Sequence, residues 1–224
     1  MSNFKSILDV SLENKTLFNK IESLLKSDSF PCLFALNAFH KNHMYIYDAT
    51  ELTNKEIYLK IYNQLTLFAD FIKNKKNKNF YTILIIIKDP LTTSSEYLED
   101  LIFSFLINLK KQDTTKNMIN KDDILRSDFQ FCLDKNIWFP VFLCPQHIST
   151  IRKSTISVIA FQPNQTFDIL KKHPNNFYEK TRLATHKRIN KIYNNNKPFF
   201  LSEKSSGINA IQYLGFDPIH PNEK

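Results

Sequence analysis

The chain has 224 residues, 42% of them hydrophobic and including twenty Phe, nine Tyr and one Trp, which is enough apolar mass for one domain with a real core and excludes wholesale disorder. Thirty Lys and Arg against 22 Asp and Glu leave a formal charge of +8, which favours anionic partners, yet no basic block is interleaved with stacking aromatics and nucleic acid is disfavoured. Two glycines in the whole chain exclude the Gly-rich loops that cradle phosphates.

In chain order, an amphipathic helix is predicted over residues 4–26, where Leu8, Val10, Leu12, Leu17, Phe18, Ile21, Leu24 and Leu25 keep a loose helical stripe. PCLFALNAF and HMYIYDA then read as two strands of a hairpin around His40-Lys41-Asn42. A second helix follows over residues 51–73, with Ile57, Ile61, Leu65, Phe68 and Ile72 at helical spacing, and a loop over 73–79. YTILIIIKD, apolar on both faces, reads as a central strand covered on each side and stopped by Asp89-Pro90. Thr93 with Glu96 forms a capping-box pattern before a helix striped by Tyr97, Leu101, Ile102, Phe105 and Leu109, and the polar stretch 110–126 reads as a mobile loop.

DFQFCLD and NIWFPVFLC make a second hairpin around Asp134-Lys135-Asn136. Pro140, which cannot donate to a ladder, puts an edge or a bulge in that strand. TISVIAFQP is the last strand; Asn164 caps a short helix through Leu170, and residues 177–193 form a final helix. The expectation is therefore one α+β domain over residues 1–224, its sheet built from two hairpins and two further strands, flanked by helices. The sheet is largely antiparallel, with a mixed arrangement left open.

Cys32, Cys132 and Cys144 form no CxxC pair, so buried free thiols in a reducing compartment are expected. The N-terminus lacks an apolar signal core and no run approaches the ~20 apolar residues of a membrane span, so a cytoplasmic protein without membrane contact is expected.

Chemistry concentrates in FPVFLCPQHISTIRKS, residues 139–154. His147 leaves an apolar strand behind a stiffening Pro145, with Arg152 and Lys153 close behind, and two readings stay open: a turn histidine bonded to its own loop, or a metal ligand at a pocket wall. His40 and His43 lack partners for a metal set, His173 suits a helix end, and Lys180, Lys187 and Lys191 share one solvated helix face. Cys32 could offer a thiolate, but flanking Leu33 and Phe34 suggest a buried, protonated thiol.

Taken in order, Ser29-Phe30-Pro31-Cys32, Phe131 through Trp138 to Phe142, Pro145-Gln146-His147 with Arg152-Lys153-Ser154, Phe161-Gln162-Pro163 with Phe167-Asp168, then Arg182, Arg188, Tyr193 and Gln212-Tyr213, resemble the YqcI/YcgG family. The resemblance implies a haem-dependent oxygenase, N-hydroxylating an amine or guanidine nitrogen of an amino-acid-like metabolite with O2 or peroxide and an unidentified electron donor. It implies haem b ligated through iron by His147, a propionate paired with Arg152, and a pocket lined by Trp138, Phe139, Phe142 and Phe161, with Asp134 and Asp168 as candidate partners for a guanidinium. Asn164 stands where the family tends to have arginine. A haem sensor or carrier and a basic nucleic-acid-associated protein are the alternatives, and a homodimer is left open.

Overall fold

The computed structural model describes residues 2–53, 56–75, 80–88, 95–115, 117–196 and 209–216. Among these, six strands form one sheet: β1 (Lys5–Ser6), β2 (Met44–Asp48), β3 (Thr82–Ile86), β4 (Phe131–Leu133), β5 (Asn136–Leu143) and β6 (Val158–Pro163). Their spatial order is β1-β2-β3-β6-β5-β4, and every neighbouring pair is antiparallel except β2 with β3. The α+β expectation with a largely antiparallel sheet is met, and the sheet is mixed at that one pair.

The first expected hairpin does not form. PCLFALNAF is helix α3 (Leu33–His40), burying Phe34, Ala35 and Ala38 on one side. Leu and Ala are strong helix formers, and an apolar run this short carries no periodicity that separates helix from strand. With its partner gone, β2 pairs in parallel with β3, and the crossover between them is α4 (Ile57–Lys73).

The long N-terminal helix is also divided. Ser6 and Asp9 close a reciprocal capping box that starts α1 (Ile7–Glu13), and the Asn14 side chain accepts from Leu17 N at 3.0 Å to start α2 (Lys15–Lys26). Leu8 and Leu12, counted in the helical stripe, are 56% and 80% exposed.

The second hairpin forms as expected between β4 and β5. The β4 ladder ends at Trp138, so β5 has an open edge where Pro140 needs no donor. The expected loop and capping box at 76–79 and 89–94 lie outside the described residues. Helix α5 (Ser95–Lys110) buries Leu98, Ile102, Phe103, Phe105, Leu106 and Leu109 and leaves Tyr97 exposed. The stretch expected to be loose holds structure. Lys110 Nζ meets Asp113 Oδ2 at 2.6 Å and Cys132 O at 2.8 Å, all buried or nearly so, and Asn120 caps α6 (Lys121–Leu125).

Asn164 does not cap α7 (Asn164–Lys171); Pro163 occupies that position and Asn164 is the first helical residue. Helix α8 (Phe177–Ile192) is not the last, since α9 (Asn209–Leu214) follows and ends in Gly215, at φ +76. No helix among the described residues is long and apolar enough to cross a membrane.

Strand pleating sends alternate residues to opposite faces. Tyr45, Tyr47, Ile83, Ile85, Ile159, Phe161, Trp138 and Phe142 enter one core with α4 and α5. Met44, Ile46, Leu84, Ile86, Val158, Ala160, Val141 and Leu143 enter another, packed with α1, α2 and Phe30 to Ala35.

Candidate functional site

The second face does not close. Between it and the α2–α3 and α7–α8 segments lies a cavity of about 460 Å3, within the roughly 300–1,000 Å3 of small-molecule sites. Its walls are mainly apolar: Leu24, Phe34, Leu84, Phe139, Val141 and Phe167 are representative. The polar groups facing it are few: Cys32, Thr82, Arg152, Gln162, Asn164, Lys171, Tyr178, Thr185, Asn209 and Gln212, with no Asp, Glu or His among them.

Arg152 is one of two cations that line this space, with Lys171. It ends the 3-10 turn Thr150–Arg152, and its Nη2 donates to Gln212 O at 3.1 Å. Its buried Nε has no hydrogen-bond partner, and among the described residues no carboxylate pairs with the guanidinium. Burial pushes its pKa down to about 10, against the pull of Cys32 and Tyr193. A buried guanidinium without a counter-charge is costly, and the Gln212 carbonyl offsets part of that cost. Gly215 makes room for it, since a Cβ there would lie 2.7 Å from Arg152 Cγ.

Gln162 is 8% exposed and lines the cavity. It follows Phe161 in β6, so the pleat sends it to the open face. Thr82, by contrast, donates its hydroxyl to Phe161 O at 3.3 Å.

Cys32 sits at the start of α3 as its N-cap residue and lines the same cavity. Burial pushes its thiol up, while the N–H groups of Ala35 and Phe34 and the charge of Arg152 oppose that shift. The segment is held from α8: Arg188 Nη2 donates to Phe30 O at 3.0 Å, and Leu33 N donates to Thr185 Oγ1 at 3.4 Å.

His147 does not line the cavity. It is 0% exposed and Nδ1 accepts from Ser149 N at 3.0 Å, so the neutral ring carries its proton on Nε2, which donates to Leu214 O at 3.0 Å. Burial first, then the charge of Arg152, lowers its pKa to about 4. Both nitrogens are thus engaged, and the ring fastens the 144–154 loop to the end of α9, edge-on to Phe216.

Of the five residues expected around a cofactor, the cavity collects Arg152 alone. Trp138, Phe142 and Phe161 point to the closed face, while Phe139, one residue out of step with Trp138, lines the cavity. Asp134 lies in the β4–β5 turn, and exposed Asp168 pairs with Lys171 at 3.6 Å; neither lines the space. Gln162 and Gly215 went unassigned. The scarcity of glycine was the signal for Gly215, since so rare a residue marks a place where no Cβ fits.

Residues 21–220 match the YqcI/YcgG family, a span that runs from within α2 through α9. The chain belongs to the YqcI/YcgG family. No curated protein and no solved structure matches it. The family resemblance thereby gains its full length, and its quoted positions find physical roles. Arg188 ties α8 to Phe30, Tyr193 meets Ser149 Oγ through its hydroxyl at 3.0 Å, and the Gln212 carbonyl holds Arg152.

Two features of the space bear on a haem: the walls are mainly apolar, as a porphyrin needs, and Arg152 is a cation of the kind that pairs a propionate. His147 as arranged offers the iron no lone pair.

Proposed function

We propose that this YqcI/YcgG protein is a cytoplasmic haem-dependent oxygenase that N-hydroxylates an amine or guanidine nitrogen of an amino-acid-like metabolite, using O2 or peroxide and an external electron donor. The observation that supports this most directly is the apolar cavity lined by a guanidinium that has no carboxylate partner among the described residues. Haem bound there would supply the activation of O2 or peroxide that oxygen transfer to a nitrogen lone pair requires.

The chain's own residues divide the remaining work. Arg152 would pair a propionate with charge-assisted hydrogen bonds while Gln212 O and Gly215 keep it in place. Phe34, Phe139 and Val141 would cover the porphyrin and exclude bulk water. Among the described residues no acid lines the cavity, so a cationic guanidinium would find no counter-charge from them; a nitrogen that arrives uncharged, with its lone pair free, suits the site better. Gln162 is then available to hydrogen-bond a polar group of the metabolite.

The test is titration of the purified protein with haemin, followed by O2 uptake with a reductant and a panel of neutral and cationic amines. Stoichiometric binding is expected, weakened about 10-fold or more in Arg152→Met, which removes a charge-assisted contact. Amine-dependent O2 consumption with N-hydroxylated product completes the case. Haem binding without amine-dependent uptake assigns a sensor or carrier instead, and a folded protein that binds no haem rejects the reading.

A further inference from the structure

We propose that the outer face of α8 is the docking surface for a small acidic electron-carrier protein. That the partner carries electrons rests on the haem reading above; that an acidic protein docks there does not.

The surface comes from a local concentration of charge. Over residues 164–193, which hold α7 and α8, seven Lys and Arg stand against two Asp and Glu, so +5 of the chain's +8 gathers there. Both acids are engaged within the segment, Asp168 with Lys171 at 3.6 Å and Glu179 with Arg182 at 2.9 Å. Lys180, Leu183, Lys187 and Lys191 recur at helical spacing and are all exposed, so they form one stripe along α8. None of the three lysines pairs with a carboxylate among the described residues. Lys187 and Lys191, one turn apart, repel each other, whereas Lys26 on α2 and Lys73 on α4 each meet an acid of their own helix.

The stripe has the make-up of a protein contact. Leu183, 53% exposed, sits between the lysines, an apolar centre with a charged rim. Beside its C-terminal end a hollow of about 590 Å3 is lined by Arg188, Lys191 and Ile192 with Asp28 and Ser29, room for side chains of a partner. No aromatic stands on the stripe for a base to stack on. A membrane surface takes the broad apolar face of a helix, and the inner face of α8 is turned to the cavity instead. Electron-transfer encounters are among the smallest specific interfaces, below about 1,200 Å2, a scale that one face of a sixteen-residue helix suits.

Position connects this face to the site. Tyr178, Thr185 and Ile189 of the same helix line the cavity, so the wall between cavity and stripe is one helix, about 10–12 Å, thick. With O2 as oxidant, one oxygen atom enters the nitrogen as N–OH and the other leaves as water, which takes two electrons and two protons. The docked carrier gives the electrons singly and is itself oxidised, and the protons come from solvent.

The probe is an acidic [2Fe–2S] ferredoxin, titrated calorimetrically into the protein with and without haem, at low and at raised salt. Binding is expected in both forms and should weaken steeply with salt. Lys180→Glu/Lys187→Glu/Lys191→Glu should weaken it at least about 10-fold, chiefly through the association rate. Lys15→Glu/Lys20→Glu/Lys60→Glu makes the same charge change on α2 and α4 and should leave affinity within about 2-fold. In the haem complex under CO, reduction by the ferredoxin should slow in the α8 variant at low carrier concentration and recover at saturation. Equal losses in the two triple variants, or no binding by folded wild type at low salt, overturn the docking surface while leaving haem binding intact. A DNA duplex or phosphatidylserine vesicles that bind the stripe more tightly than the ferredoxin overturn the choice of partner. Ferredoxin binding by folded wild type that takes up no haem overturns the electron-carrier role together with the haem reading, and the docking surface stands.

Discussion

The two faces of the sheet are made of the same kinds of residue and do different things. On one, Trp138, Phe161 and Phe68 stack and cross at centroid distances of 6.1 and 6.5 Å, Phe105 meets Phe142 edge-on at 5.6 Å, and the side chains leave almost no surface. On the other, Ala160, Val141 and Leu84 are smaller and stand back from α3 and α8, leaving space with a cation in it. Volume decides the difference: large aromatics close the first face, and small aliphatics cannot close the second.

The sharpest way to break this comparison is to hollow the closed face. Trp138→Ala or Phe161→Ala, each at 1% exposure or less, should cost about 3–5 kcal/mol by urea denaturation, since lost transfer energy and an unfilled void add together. Val141→Ala on the open face should cost no more than about 1–2 kcal/mol, because its neighbours already border free space. Equal losses at both faces would remove the distinction.

Next in size is the latch between the loop and α9. His147 has a folded pKa near 4 against an ordinary value of 6.5, so between these values the unfolded chain binds a proton that the folded one does not. Stability is therefore lost as pH falls through that window, by about 2 kcal/mol between pH 7 and 5 from this residue. Urea midpoints at the two pH values test it. His147→Gln should flatten the dependence while lowering stability at pH 7, as Ser149 N–H or Leu214 O loses its partner.

Gly215→Ala should cost about 1–3 kcal/mol, because a Cβ would meet the Arg152 stem and the backbone is at positive φ. It should also weaken haem binding, by displacing the guanidinium. Smallest of all on stability is Ala160→Leu, which adds volume toward the open face and should change the unfolding free energy by less than about 1.5 kcal/mol. It should nonetheless reduce haem uptake severely. A large destabilisation would mean that the cavity is less open than its dimensions indicate.

Much of the architecture was legible along the chain. The helical spacing of Ile61, Leu65, Phe68 and Ile72, the doubly covered TILII, the Asp134-Lys135-Asn136 turn and the open edge at Pro140 all rest on local physics: periodicity, burial and turn chemistry. So does the identity of the segment that matters, since Pro145 to Arg152 supplies both the latch and the buried cation. The misreading at Leu33 to His40 came where a run of eight residues, six of them apolar, satisfies both periods. The splitting of the N-terminal helix came from Asn14, a cap that a stripe of leucines conceals.

The sequence by itself determined the α+β class, the family, and the alternation of β5 and β6 into two sets of side chains, because each depends on near neighbours or on fixed spacing. Which set faces a packed core and which a cavity was decided only in three dimensions. It depends on where α3 and α8 come to rest, and those helices are held by contacts across 158 residues of chain, Arg188 to Phe30, that no local rule encodes. The same holds for His147. Its place in the sequence marks it as special, but only the arrival of Leu214 from 67 residues away occupies its second nitrogen and turns a candidate ligand into a latch.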